Sequence, residues 1–238
     1  MKPARHTDLA LPYVLSVPSG KADSEPMPLV IFMHGRGADA SDLADLAPMI
    51  DAAGIDAAGI DGAGTDGPGG YRFVFPNAAR PFEAYPGMTF GFSWFDGWPP
   101  EGDSIVQSRR SMLTLIDQLI ARYPTSGKVV LGGFSQGGLM ALDVGFRTAT
   151  PLAGIVVMSG AIYEADLPDL RARASQRVLL LHGADDDVIP VVAAQRTRHV
   201  LEGQGIHPEY HEFPMGHHVT PESLQAVTTF IRSCLTSS

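Results

Sequence analysis

Residues Val129 to Val144 read Val-Val-Leu-Gly-Gly-Phe-Ser-Gln-Gly-Gly-Leu-Met-Ala-Leu-Asp-Val, and this stretch restricts the fold more than any other. A short apolar, β-branched run enters Gly133-Phe134-Ser135-Gln136-Gly137, a G-x-S-x-G, and a helix-like pattern with Leu139, Met140, Leu142 and Val144 follows at once. A strand that becomes a helix within so few residues must bend very sharply. Side chains two residues to either side of the bend would collide, which accounts for the glycines. The turn lifts the serine above the end of a sheet and leaves backbone N–H groups bare where the helix dipole is positive. The segment therefore asks for strands that run into helices, with Ser135 as candidate nucleophile. A glycine-rich turn with an incidental serine is the plainer reading, and the flanking strand and helix patterns argue against it.

The remaining chain repeats the alternation. Buried-strand patterns occur at Leu29–Met33, Arg72–Phe75, Val129–Leu131, Ile155–Met158, Val178–Leu181 and Tyr210–Phe213, with an antiparallel edge strand at Tyr13–Val17. Helical stripes fall between them, over Ser104–Arg122, Leu139–Phe146, Val191–Leu201 and Pro221–Leu235. Another follows Ser41 as cap, with Leu43, Leu46, Ala47 and Ile50 on one face and Pro48 to kink or shorten it. Alternating strands and helices predict an α/β fold with a mostly parallel central sheet covered on both faces. With 238 residues, 45% of them hydrophobic, the chain suits one domain over 1–238. Residues 52–70 read as a flexible Gly/Asp-rich insertion: AAGID occurs twice, then GAGTD. Gly62, Gly64 and Gly67 spell G-x-G-x-x-G there, but neither the strand nor the helix of a dinucleotide site accompanies them.

A net charge of −9 repels phosphate backbones and anionic headgroups, so neither nucleic acid nor stable membrane association is expected. The single cysteine, Cys234, precludes an intrachain disulfide and suits a reducing compartment. A polar N-terminus and the lack of a long apolar run make a cytoplasmic location the expectation.

A serine hydroxyl needs a base, and the base a carboxylate to orient it. After Val178–Leu181 comes His182-Gly183-Ala184-Asp185-Asp186-Asp187-Val188-Ile189-Pro190, which puts a carboxylate just past a strand end, on the ligand-binding rim of an open sheet. Three neighbouring aspartates leave the choice open. Phe213-Pro214-Met215-Gly216-His217-His218 follows the last strand and offers two histidines. A metal reading finds no H-E-x-x-H and leaves Ser135 unexplained, so neither metal nor cofactor is expected. Attack on an acyl carbon builds charge on oxygen. One N–H donor for it is expected from Gln136, and a second from the loop His34-Gly35-Arg36-Gly37-Ala38-Asp39, which we assign to the Arg36 N–H. The His34 side chain is read as a buried structural group.

Taken together, HGRGAD at 34–39, GFSQGG at 133–138, HGADDDVIP at 182–190 and MGHHVTP at 215–221 resemble the phospholipase/carboxylesterase family, with its small carboxylesterases and acyl-protein thioesterases. PNAARP at 76–81 and SWFD at 93–96 match segments common in that family. The resemblance implies the α/β-hydrolase fold with a minimal lid, Asp186 as acid, His217 as base, and Arg36 and Gln136 as oxyanion donors. It implies a serine hydrolase that cleaves small-molecule carboxylic esters of short to medium acyl chains through an acyl-enzyme. An acyl-protein thioesterase or lysophospholipase is the alternative, and an inactive hydrolase-fold binding protein the alternative of another class. It leaves a homodimer open, since related esterases often pair. The segment Phe82–Trp98, dense in large apolar groups with little helix or strand character, is read either as a loop along an apolar groove or as a long loop that these side chains pin to the core. From it Trp94, Phe95 and Met88 are expected to touch substrate, Trp94 by resemblance.

Overall fold

A computed structural model describes residues 3–52 and 70–236. The pentapeptide repeat and its glycine pattern lie outside the described residues, Ala52 excepted. The elements run β1 (Ala4–His6), β2 (Tyr13–Ser16), β3 (Met27–Met33), α1 (Leu46–Ala52), β4 (Arg72–Pro76), β5 (Arg80–Tyr85), β6 (Met88–Ser93), α2 (Ser104–Arg122), β7 (Thr125–Phe134), α3 (Gln136–Gly145), β8 (Gly154–Met158), β9 (Val178–Gly183), α4 (Val192–Gly203), β10 (Glu209–Phe213) and α5 (Pro221–Thr236). Eight strands form one sheet in the order β1-β2-β4-β3-β7-β8-β9-β10. From β4 to β10 all neighbours are parallel, whereas β1 and β2 are antiparallel to each other and β2 to β4.

The inner strands β3, β4, β8 and β9 are buried along their whole length because both faces of the sheet are covered. Alternate side chains of each strand feed two layers. Leu29, Ile31, Ile155, Val157 and Leu180 pack with Met112, Leu115 and Leu119 of α2, Leu139 and Leu142 of α3, and Leu201 of α4. Val30, Phe32, Val156, Leu179 and Leu181 pack on the other side with Ala47 and Ile50 of α1 and Val227, Phe230 and Ile231 of α5. The path from β8 to β9, residues 159–177, holds only two single 3₁₀ turns, Glu164–Asp166 and Arg171–Arg173, so no lid domain is inserted there.

Three expectations are corrected. The strand at Tyr13 is antiparallel but not at the edge, because β1 lies outside it. Ser41 does not cap a helix: its N–H donates to Asp39 Oδ1 (2.7 Å), the chain then runs through turns, and α1 begins only at Leu46. Pro48 thus sits in the first helical turn, where its missing N–H costs nothing. Much of the segment 82–98 is not a loop. It builds the antiparallel hairpin β5–β6, whose register shifts between Pro81 and Glu83 and again before Tyr85. Those shifts, and strands largely open to solvent, erase the two-residue alternation that marks a strand in sequence.

Candidate active site

The turn between β7 and α3 places Ser135 at φ 56° and ψ −118°, a region non-glycine residues rarely occupy, and fastens it by a hydrogen bond from its N–H to Met158 O (2.8 Å). The glycines around it are steric necessities. A Cβ on Gly133 would stand 2.3 Å from the Gly137 backbone, and one on Gly137 would stand 2.0 Å from Met33 O on the neighbouring strand. Because the obstacle is backbone rather than a movable side chain, Gly137→Ala is expected to cost about 3 kcal/mol, the upper part of the overpacking range, and so to lower Tm by about 6–12 °C. Gly203→Ala, with nothing within 4 Å of its added carbon, serves as control and should leave Tm unchanged or slightly higher in a thermal melt.

The loops after β9 and β10 are bound to each other. Ala184 N–H donates to Phe213 O (2.8 Å) and Asp185 N–H to Met215 O (3.1 Å), and Gly183 lies so close to the Met215–Gly216 backbone that a Cβ would be 2.2 Å from Met215 O. Beyond this junction Thr220 and Ser223 cap α5 reciprocally, each accepting the other's N–H, and Pro221 takes the first helical position. His217 is thereby held at the rim. Its Nε2 lies 2.9 Å from Ser135 Oγ, and its Nδ1 lies 2.7 Å from Asp186 Oδ2. With carboxylate behind Nδ1, the hydrogen belongs on Nδ1, which leaves Nε2 to accept from the serine hydroxyl. The Phe134 ring packs 4.8 Å from the His217 ring.

Among the three aspartates, only Asp186 is buried, at 6% exposed, and only it meets His217; Asp185 and Asp187 face solvent. Its Oδ1 accepts the N–H groups of Val188 (2.9 Å) and Ile189 (2.8 Å). Burial alone would raise its pKa, but the bonds from His217, Ile189 and Val188 outweigh burial and hold it below the ordinary carboxylate value. His218 is exposed, and the contacts to Ser135 and Asp186 are made by His217.

The loop after β3 carries the other expected donor. Among the described residues the Arg36 N–H makes no hydrogen bond, and Gln136, as first residue of α3, has no carbonyl within its helix to donate to. The loop is braced from three sides. His34 is buried and donates from Nδ1 to Gly35 O (2.7 Å) while Nε2 accepts the Ala78 N–H (3.1 Å), and burial pushes its pKa down, so the ring is the structural group anticipated. Gly37 N–H donates to Phe92 O and Phe92 N–H to Ala38 O, both 2.8 Å, which sews β6 onto the loop. The Arg36 guanidinium rests on the Phe82 ring, 4.4 Å from its centroid.

Residues expected to touch substrate are not brought to one surface. Trp94 and Phe95 are 0% exposed, and Met88 on the hairpin is 54% exposed. Trp94 is instead a brace: its Nε1–H donates to His34 O (2.9 Å). The Gln136 side chain, unassigned from sequence, takes the Trp94 N–H on Oε1 (3.0 Å) and donates from Nε2 to Phe95 O (2.9 Å), tying this strand exit to the turn that carries Ser135. Only its place inside G-x-S-x-G hinted at it. A cleft of about 300 Å³ lies one helical turn along α3, bounded by Trp98, Leu139, Ala161, Ile162, Tyr163 and Ala193. Among the described residues no group of His, Cys, Asp and Glu is set to hold a metal ion, and no helix is long and apolar enough to cross a membrane.

A family model described as Phospholipase/Carboxylesterase matches residues 66–235. The chain is 30% identical over 182 residues to acyl-protein thioesterase 1 of Gibberella zeae, covering 69% of this chain and 77% of that protein. It is 26% identical over 235 residues to acyl-protein thioesterase 1 of Mycosarcoma maydis, covering 89% and 92%. Among solved structures, esterase PE8 superposes with a TM-score of 0.70 at 29% identity, over 93% of this chain and 99% of that one.

Proposed function

Because the chain belongs to the phospholipase/carboxylesterase family of serine hydrolases, we propose that Ser135, His217 and Asp186 are its catalytic triad and that Arg36 and Gln136 donate their backbone N–H groups to the oxyanion. The observation that carries this reading is the relay of 2.9 Å from Ser135 Oγ to His217 and 2.7 Å from His217 to Asp186. As Oγ attacks the acyl carbon, its proton passes to His217 Nε2. The carbonyl oxygen gains the negative charge and meets the two N–H donors, each worth about 10²–10³ in rate. His217 then gives its proton to the departing alkoxide or thiolate, and the acyl group stays on Ser135. Water repeats the sequence and releases the acid. Asp186 keeps the imidazole in the tautomer that accepts at Nε2 and stabilises the imidazolium. The bare N–H groups, the ionised Asp186 and the short β8–β9 connection all favour this reading.

We propose carboxylic esters of short to medium acyl chains as substrates, with the cleft beside Leu139 as the acyl seat. Its volume of about 300 Å³ lies at the small end of ligand pockets. A thioester reading is favoured by the name of the relatives, acyl-protein thioesterase 1. We read residues 1–238 as one domain, since one sheet carries both apolar layers. A panel of p-nitrophenyl esters from acetate to palmitate, beside acyl thioesters of matching length, tests the assignment. The expected result is a kcat/KM that peaks at short to medium acyl length and falls for palmitate. A peak at palmitate would move the assignment to long-chain thioesters or lysolipids, and turnover of none would refute it.

A further inference from the structure

His182, next to last in β9, has its side chain wholly buried, 0% exposed, and makes an unequal use of its two nitrogens. Nε2 lies 2.7 Å from Ile189 O and 3.3 Å from Asp186 Oδ2. Nδ1 is buried and, among the described residues, has no hydrogen-bond partner. Both atoms facing Nε2 are acceptors, so the ring hydrogen sits on Nε2 and is shared between them, and a second hydrogen on Nδ1 would have nothing to meet. A ring kept for packing alone would be better served by phenylalanine, which buries no bare nitrogen. What the imidazole adds is one donor at one place: the oxygen of Asp186 that also receives His217.

From this geometry we infer that His182 is a positioning residue for the acid of the triad, an inference that rests on the proposed role of Ser135, His217 and Asp186. Val188 N–H and Ile189 N–H fix Oδ1, and His217 and His182 share Oδ2. The contact to Ile189 O also holds the loop that presents the Val188 and Ile189 donors. The carboxylate can then neither rotate nor withdraw from His217. The His182 hydrogen also draws charge from Oδ2, which tempers the pull of Asp186 on the imidazolium. The other ionisable groups near this pair are Glu212, opposite His182 on β10, and the exposed Asp185 and Asp187 beside Asp186.

His182→Phe keeps a ring and removes the donor. It is expected to lower kcat about 10-fold to 100-fold, the usual worth of a hydrogen bond to a charged group read as a rate, with KM within about threefold. The acid limb of the kcat/KM profile should move to higher pH, because undiluted charge on Oδ2 favours the imidazolium. His182→Gln, whose amide nitrogen reaches the position of Nε2, should restore most of kcat and the native limb; His182→Asn, which is polar but too short, should not. Rates are taken per folded molecule. A His182→Phe enzyme with native kcat and native profile would overturn the inference, and so would a Gln variant no better than Asn. Fluorophosphonate labelling of Ser135→Ala keeps the two ideas apart. Labelling that persists there refutes the triad itself, whereas labelling lost there beside an unaltered His182→Phe refutes only the role of His182.

Discussion

Ser135→Ala is expected to abolish labelling by a fluorophosphonate probe and to lower kcat/KM for p-nitrophenyl butyrate by about 10⁶, the scale of nucleophile loss in a related triad. The loss is this large because the three side chains act as a unit. Without Oγ, the His217 nitrogen that lies 2.9 Å from it has no proton to take and no attack to assist. A residual of about 10³–10⁴ over water is expected from the oxyanion donors and binding alone. The fold should survive. Alanine meets the same backbone strain at φ 56°, and the Ser135 N–H bond to Met158 O does not involve the side chain. Circular dichroism and a thermal melt within about 2 °C of the parent check that the loss is chemical. Persistent labelling or native turnover would show that another residue carries the reaction.

Asp186→Asn is expected to cost about 10⁴ in kcat/KM, with Asp185→Asn and Asp187→Asn within about threefold of the parent. The amide is nearly the same size as the carboxylate, so position is preserved. What changes is the hydrogen on the ring. An amide group turned toward His217 Nδ1 donates to it and forces the hydrogen to Nε2, where it blocks acceptance from Ser135. Asp185 and Asp187 face solvent and do not touch His217, so their charge is screened. Steady-state kinetics on the three variants decides the matter, and a comparable loss at Asp185 or Asp187 would contradict the assignment. Stability carries a matching signature. The Asp186 pKa is held below its ordinary value, so its ionised form adds stability above the ordinary carboxylate range. That contribution is lost as pH falls through the lowered value, and Asp186→Asn should remove this part of the acid sensitivity in urea titrations.

Much of the central sheet was legible because buried parallel strands write themselves as continuous apolar runs, as in Leu29–Met33 and Val178–Leu181. Their polar or proline-bearing ends were not: β3 starts at Met27 before Pro28, and β7 starts at Thr125, through Ser126, Gly127 and Lys128. The three residues of β1, Ala4-Arg5-His6, have no apolar alternation at all. The hairpin β5–β6 is hidden in the sequence because aromatic density resembles a pocket lining, whereas here Phe82 and Phe92 brace the loop after β3. The candidate nucleophile was readable from strand context, and the candidate base as one of His217 and His218; the choice of His217 came only with the family resemblance. The acid was not separable among Asp185, Asp186 and Asp187 by residue type, and burial with a partner at 2.7 Å distinguishes it. Gln136 and His182 sat inside recognisable motifs, yet what their side chains hold is a property of three dimensions alone.

The two flanks of the central sheet set limits on how copies of this chain can meet. On one side the outermost strand, β1, is three residues long; on the other, β10 exposes Glu209 and Glu212. A twofold pairing that prolonged the sheet through β10 would set acidic side chains of one molecule against those of the next, and the short opposite flank offers too few free backbone groups to template a further chain. Open-ended filaments built strand upon strand are thereby discouraged, and helices and loops remain as the surfaces through which a closed pair could assemble.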